Sequence, residues 1–284
     1  MRFYQSVANY NSMLKYSVLM SIYIKENPDF FLEALKSLLV QTVKPDQIVI
    51  IKDGILTDRL EDIISNYIAS YPNIFTVASN DINLGLGISL NKGLSLCRNE
   101  LVARMDTDDI SKPERCEKQL SIFNQNPELS IVGSWVDEFI DDPTVVISTR
   151  KVPSNHVDIY KYGKRRTPFN HPTVMFKKSD VISIGGYSDL RRNQDVDLFG
   201  RMLFAGFITC NIDESLLLMR SNNDLAVRRK SWLNTKSYIN TIWKLKKMGY
   251  SSFLDYLLVA SAQLIMFLVP LKIQSFIYKK YLRG

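Results

Sequence analysis

At 284 residues, with 46% hydrophobic and 23% charged side chains, the chain has the composition of a folded protein and room for one large α/β domain with an appendage, or two small domains. Its 36 Lys and Arg against 29 Asp and Glu leave a formal charge of +7, concentrated late, at Lys164-Arg165-Arg166, Arg228-Arg229-Lys230, residues 244–247 and Lys279-Lys280; with no nucleic-acid-binding motif, this favours anionic lipid or a phosphorylated substrate over nucleic acid. Cys97, Cys116 and Cys210 are odd in number and far apart, which excludes a disulfide framework or zinc site, and the polar first 15 residues lack the apolar core of a secretion signal, so a cytoplasmic setting is expected.

Residues 16–24 form an apolar, β-branched run that predicts a strand, and 28–41 carry Phe31, Leu32, Leu35, Leu38 and Leu39 at helical spacing. The alternation repeats. Residues 47–52 predict a strand ended by Asp53-Gly54, and 58–71 a helix with Leu60, Ile63, Ile64, Tyr67 and Ile68 on one face. Residues 73–78 and 101–105 predict further strands, with a helix over 84–97 between them. Such βαβα order implies a parallel sheet covered by helices, and such sheets bind ligands at the C-terminal ends of their strands. Tyr23, Asp53 and Asp106 all fall there, so the loops at 23–27, 53–54 and 106–109 are expected along one rim.

Beyond Pro113 the pattern predicts a helix to about Asn126, a strand over 129–140 and a helix over 195–206; residues 151–172 show little periodicity and read as acceptor-side loops. Residues 251–269 are strongly apolar, but the uninterrupted part, 256–271, is about 16 residues, short of the roughly 20 that span a bilayer. With Lys279, Lys280 and Arg283 following, it reads as a surface-lying element on an anionic membrane, or as a helical hairpin packed on the domain.

The segment Ala103-Arg104-Met105-Asp106-Thr107-Asp108-Asp109 puts three carboxylates in four residues directly after an apolar run. Such crowding is self-repelling unless a cation sits there, and carboxylate oxygens are hard ligands suited to Mg²⁺ or Mn²⁺ bridging to phosphates. An acidic loop capping the next helix is the other reading.

Taken with Ser17-Val18-Leu19-Met20-Ser21-Ile22-Tyr23, Asn83-Leu84-Gly85-Leu86-Gly87, Leu90-Asn91-Lys92-Gly93, Asn170-His171-Pro172-Thr173, Gly185-Gly186-Tyr187 and Gln194-Asp195-Val196-Asp197, the chain resembles family 2 glycosyltransferases of the bacterial cell-surface polysaccharide type over about residues 16–220. The resemblance implies a GT-A fold, an α/β Rossmann-like mixed sheet. It implies a catalytic domain over 1–225, with a nucleotide-binding half at 16–110 and an acceptor-side half at 111–225, and a helical, membrane-associating segment over 226–284. Tyr23 would contact the base of the nucleotide by its ring and Asp53 would accept an N–H from uracil. Asn83, Gly85 and Asn91 would lie along the nucleotide-sugar, and Arg104 would neutralise the acidic cluster or touch the nucleotide. Asp106 would face ribose and metal, Asp108 would coordinate Mn²⁺ or Mg²⁺, and Asp109 would position the loop. Asp195 would be the catalytic base of an inverting displacement. The family often has Glu before it, where this chain has Gln194, so a neighbouring charge that would raise the pKa of the base is missing. Asp197, about 200° further around the helix, would be structural. His171 would border the diphosphate or acceptor pocket, with Gln194 on the same side, or would be a structural histidine. The implied partners are a UDP-sugar donor and a lipid-linked glycan acceptor at the inner membrane face. A metal-dependent phosphohydrolase is a rival reading of the acidic loop but leaves Asp53, the Asn-Gly segment and Asp195 unexplained; an inactive nucleotide-sugar-binding scaffold is another.

Overall fold

A computed structural model describes residues 14–221 and 231–270. The first half alternates strands and helices: β1 (Tyr16–Ile22), α1 (Pro28–Leu39), β2 (Gln47–Asp53), α2 (Asp58–Ser70), β3 (Phe75–Asn80), α3 (Leu86–Leu96) and β4 (Leu101–Arg104). The second half comprises β5 (Ile110–Ser111), α4 (Arg115–Gln125), β6 (Leu129–Phe139), β7 (Ser148–Arg150), α5 (His156–Gly163), a 3-10 turn (His171–Thr173), β8 (Met175–Lys177), α6 (Lys178–Ser183), α7 (Gln194–Phe204), β9 (Ile208–Arg220), α8 (Trp232–Met248) and α9 (Phe253–Leu268).

Helix α1 begins where the sequence signals it: Asn27 accepts the amide of Asp29, and Pro28, with no amide hydrogen to lose, occupies the first turn. The first four strands are parallel, as their alternation with helices predicts. All the strands join one sheet in the order β3-β2-β1-β4-β8-β6-β9-β5, with β7 on β6, and its direction reverses at β4, which pairs antiparallel with β8. Both faces of β1 are covered, which is why its sequence is a continuous apolar run. Val18, Met20 and Ile22 pack with residues of α1, α2 and α4, whereas Leu19 faces the opposite layer with Leu90, Leu94, Phe199 and Leu245.

The second half departs from expectation in three places. Residues 151–172 contain α5, started by Asn155 accepting the amide of Asp158. Strand β9 runs 13 residues, although Asp213 and Glu214 interrupt its apolar pattern; the register with β6 shifts around Trp135, bending the pair and absorbing the interruption. The C-terminal segment takes the hairpin reading of its sequence. Helices α8 and α9 form a hairpin turned at Gly249 (φ 96°), and α8 packs on the domain through Leu245, so close to Gly200 that a Cβ there would come within 2.6 Å of it. Trp243 meets Tyr256 at 4.9 Å and Trp232 meets Phe267 at 5.4 Å. The outer face of α9 remains uncovered, exposing Leu254, Leu257, Leu258, Leu264, Ile265 and Leu268. Among the described residues no helix is long and apolar enough to cross a membrane. The basic groups at Arg228-Arg229-Lys230 and at Lys279, Lys280 and Arg283 lie outside the described residues.

Candidate active site

Parallel pairing aligns the loops. Ile22 lies opposite Lys52, Asp53 opposite Asn80, and Leu19 opposite Arg104, with the Met105 amide continuing the pairing to the Leu19 carbonyl at 3.1 Å. Tyr23, Asp53 and the 106–109 segment therefore share the C-terminal rim that the order of elements predicts.

Asp53 is buried at the end of β2 and organises the neighbouring loop. One carboxylate oxygen accepts from Asn80 Nδ2 (3.0 Å) and the Leu84 amide (2.8 Å), the other from the Gly85 amide (2.9 Å). Gly85 sits at φ 97° directly before α3, and a Cβ there would press on Arg191 at 3.1 Å. The structure gives Asn91 a different task from the nucleotide contact expected of it. Its amide clasps the backbone of Tyr187, donating to the carbonyl at 2.7 Å and accepting the amide at 2.8 Å, so it ties α3 to the loop before Gln194-Asp195. Asn83 accepts from Arg191 Nη1 at 3.0 Å, a second link between the same two loops.

Arg104, the last residue of β4, is buried and pairs with Asp106, while its Nε and Nη1 have no hydrogen-bond partner among the described residues. Burial opposes its charge, but the pairing with Asp106 more than offsets this, and its pKa lies above the usual guanidinium value. A buried cation with two donors to spare is costly unless an anion or polar ligand meets them. Burial, and then repulsion from Asp106, pushes Asp108 up to about 6; Asp109, more deeply buried, is raised well above the carboxylate range by burial and by both neighbours. Crowded carboxylates under such strain are a fit for a divalent cation. Among the described residues no group of three or more His, Cys, Asp or Glu forms a ready metal cage. Asp106 and Asp108 offer two hard ligands, which suits an ion that completes its shell with substrate phosphates and water.

Asp195 occupies the first turn of α7, entered through Asn193 in the left-handed conformation (φ 60°). Burial raises its pKa, the amides of Val196 and of Asp195 itself lower it, and the charges of Arg150 and Arg104 lower it further. Beside it Gln194 is buried with Oε1 unpartnered. Asp197 is structural, accepting from Ser188 at 2.6 Å and from Arg201 at 2.8 Å, while Arg201 also holds the Ile184 and Gly186 carbonyls. His171 is buried against Tyr187 and Phe199, its Nε2 2.9 Å from the Tyr187 hydroxyl. Burial and the charge of Arg104 lower its pKa well below the usual value, which favours the neutral ring.

Two contributors escape a reading of the sequence. Arg220, at the end of β9, donates its amide to Asp109 (3.0 Å) and its Nε to the Asp108 carbonyl (3.2 Å), pairs with Glu33, and lies 3.8 Å and 4.5 Å from the ring centres of Phe30 and Phe139. Its partners come from three distant segments, and no local pattern marks it. Tyr238, on α8, donates to the Arg165 carbonyl at 3.2 Å and feels the charge of Asp195, which brings the C-terminal hairpin to that carboxylate.

A parallel first half joined at a direction reversal to a second half of mixed strand direction, with an acidic loop at the seam, defines a nucleotide-diphospho-sugar transferase of the GT-A fold. The glycosyl transferase family 2 model matches residues 17–184, and the chain belongs to that family; it is a glycosyltransferase. Among its relatives, an Escherichia coli UDP-Gal:alpha-D-GlcNAc-diphosphoundecaprenol beta-1,3-galactosyltransferase is 38% identical over 95% of this chain and 97% of its own length. The amylovoran biosynthesis glycosyltransferase AmsE of Erwinia amylovora is 34% identical over 95% and 100% respectively. In fold it is similar to S. aureus TarS residues 1–349 in complex with UDP-GlcNAc (TM-score 0.62, 15% identity, covering 92% of this chain and 78% of that one). The mannosyltransferase PcManGT from Pyrobaculum calidifontis, in complex with GDP-Man and Mn²⁺, is likewise similar (TM-score 0.58, 13% identity, covering 93% and 84%).

Proposed function

We propose that the protein transfers a sugar, with inversion, from a UDP-linked donor to a hydroxyl of a lipid-linked glycan, with Mn²⁺ or Mg²⁺ as cofactor, in the assembly of a bacterial surface polysaccharide at the inner face of the membrane. The observation that carries it is the pairing of a buried carboxylate of raised pKa, Asp195, with a crowded acidic loop and the unsatisfied donors of Arg104. Asp195 takes the proton of the acceptor hydroxyl as that oxygen attacks the anomeric carbon and the bond to the donor diphosphate breaks. A raised pKa suits this work, since a stronger base accepts the proton more readily, and burial supplies what Gln194 does not. Asp106 and Asp108 would hold the metal ion, which offsets charge on the departing diphosphate. Arg104 offers N–H groups to the same anion from a dry position, where they count for more than in water. Tyr23 and the loop of Asn83 and Gly85, held by Asp53, would border the nucleotide. Support for the donor and acceptor classes comes from the name of the E. coli relative, and support for a divalent ion from the Mn²⁺ complex of PcManGT. The uncovered leucines of α9 support a peripheral seat on the membrane.

Release of UDP from a panel of UDP-sugars, with Mn²⁺ and with chelator, tests the reading. Metal-dependent release from one donor is expected, and Asp195→Asn is expected to slow transfer by about 10²–10⁴-fold while donor affinity holds. A protein that binds no UDP-sugar, or an Asp195→Asn enzyme with undiminished transfer, refutes it.

A further inference from the structure

Between the 190–192 segment and α8 runs a surface groove of about 310 Å³ that the donor chemistry leaves unused. Its walls include Leu190, Arg191, Arg192, Leu233, Lys236 and Lys244, and no carboxylate lines it among the described residues. Four cations without a counter-charge repel one another in so small a concavity, and a polyanion entering it relieves all four at once. The two leucines and the aliphatic stems of the cations add apolar wall that a free inorganic anion would not use.

The position of the groove narrows its ligand. At one end Arg191 reaches over the donor loop to Asn83. Along its floor Ser237 accepts from Asn193 Nδ2 (3.0 Å) and donates to the Arg192 carbonyl (3.1 Å), and Asn193 directly precedes Gln194-Asp195. At the other end exposed Leu233 adjoins exposed Trp232, whose ring meets Phe267 of α9 at a tilt, on the helix with the uncovered leucines. The groove thus leads from the turn that sets the base to the apolar surface of the hairpin.

We infer that this groove binds the diphosphate and first alkyl units of a polyprenyl-diphosphate-linked acceptor, with Arg192, Lys236 and Lys244 on the diphosphate and Leu190 and Leu233 on the chain. The inference rests on the lipid-linked acceptor proposed above and adds to it the site at which the lipid end is read. With the sugar hydroxyl at Asp195, the phosphate side of that sugar points away from the donor and into the cations.

Farnesyl diphosphate is the direct probe, titrated onto the full chain with the donor site filled by UDP and Mn²⁺. Binding is expected to weaken at least tenfold in the Lys236→Glu/Lys244→Glu double variant, at two exposed positions outside the core, and to survive in Lys236→Arg/Lys244→Arg. Farnesol is expected to bind more weakly and without regard to either change. Absence of farnesyl diphosphate binding, displacement by excess UDP, or equal binding by the charge-reversed variant would each overturn the site. Steady-state transfer separates this from failure of the acceptor reading. Wild type that uses a diphosphate-linked acceptor with a KM unmoved in the charge-reversed variant overturns the groove alone. Wild type that binds farnesyl diphosphate but transfers only to phosphate-free glycans overturns the acceptor reading instead.

Discussion

At the scale of single residues, two buried groups at the site make opposite demands on the solvent. His171 is held neutral, its pKa depressed by burial and by Arg104, whereas in the unfolded chain it titrates near the ordinary 6.5. Above that value neither state binds the proton and the ring contributes its full stability; as pH falls below it the unfolded chain gains a proton that the folded protein refuses, and stability is lost. Asp108, raised to about 6, acts in the other sense, since the folded state gains its proton first. The difference between wild type and His171→Gln isolates the histidine. Melting curves from pH 8 to 5 are expected to show wild type losing more stability than the variant, and parallel curves would show that the ring accepts its proton in place. Arg220 makes a second residue-scale case. Its planar guanidinium lies against Phe30 and Phe139 while bonding the Asp108 carbonyl, a geometry an ammonium does not reproduce. Both Arg220→Lys and Arg220→Ala are expected to weaken Mn²⁺ binding in the presence of UDP by about tenfold, read by the electron paramagnetic resonance of the ion. Equal affinity would make Arg220 a packing residue only.

Secondary-structure elements explain which parts of the site could be read in advance. Asp53 and Asp106 were legible because a βαβ pattern places strand ends on one rim, whatever the side chains do afterwards. Asp195 is marked by its motif alone, and its role rests on the proposal above. Asn91 was assigned to the nucleotide but holds Tyr187, 96 residues away, and no local period reports a partner at that separation. For the same reason Arg220 was invisible. The face by which helix α8 packs gives little signal, because its polar face carries Lys236 and Lys244 while only a narrow stripe, with Thr241, Ile242 and Leu245, is buried. Helix α9, in contrast, announced its apolar character but not which face would be covered. Replacing three uncovered residues, as in Leu254→Ser/Leu258→Ser/Ile265→Ser, should leave the fold intact, because each is about half exposed or more. Each such side chain is worth about 1.5–3 kcal/mol when fully buried, so flotation with anionic vesicles is expected to show at least a tenfold loss of binding. Unchanged flotation would mean that α9 does not meet lipid.

For the molecule as a whole, the hairpin is part of the catalytic unit. Ile242, Leu245 and Tyr250 are buried in the same cluster as Phe199 and Leu203 of α7, and Tyr250 donates to the Tyr160 carbonyl at 2.8 Å. A chain ended at residue 221 would uncover that face of α7, the helix that carries Asp195. It is therefore expected to aggregate or to melt well below the full chain in calorimetry, and a shortened protein of undiminished melting temperature would show the hairpin to be a separate module.

The four-residue strand β4 is the hinge of the whole plan. Every residue proposed for the nucleotide lies before it, at its end or within the few residues that follow, at the ends of parallel strands; what surrounds Asp195 comes later, from strands of mixed direction and helices. One continuous sheet gives the two sides a common rigid floor, yet their loops arise from different stretches of chain. Descent can therefore alter the glycan that is extended while keeping the activated sugar that is drawn upon, or the reverse, without rebuilding the floor. A repertoire of surface polymers could diversify by changes confined to one side of four residues.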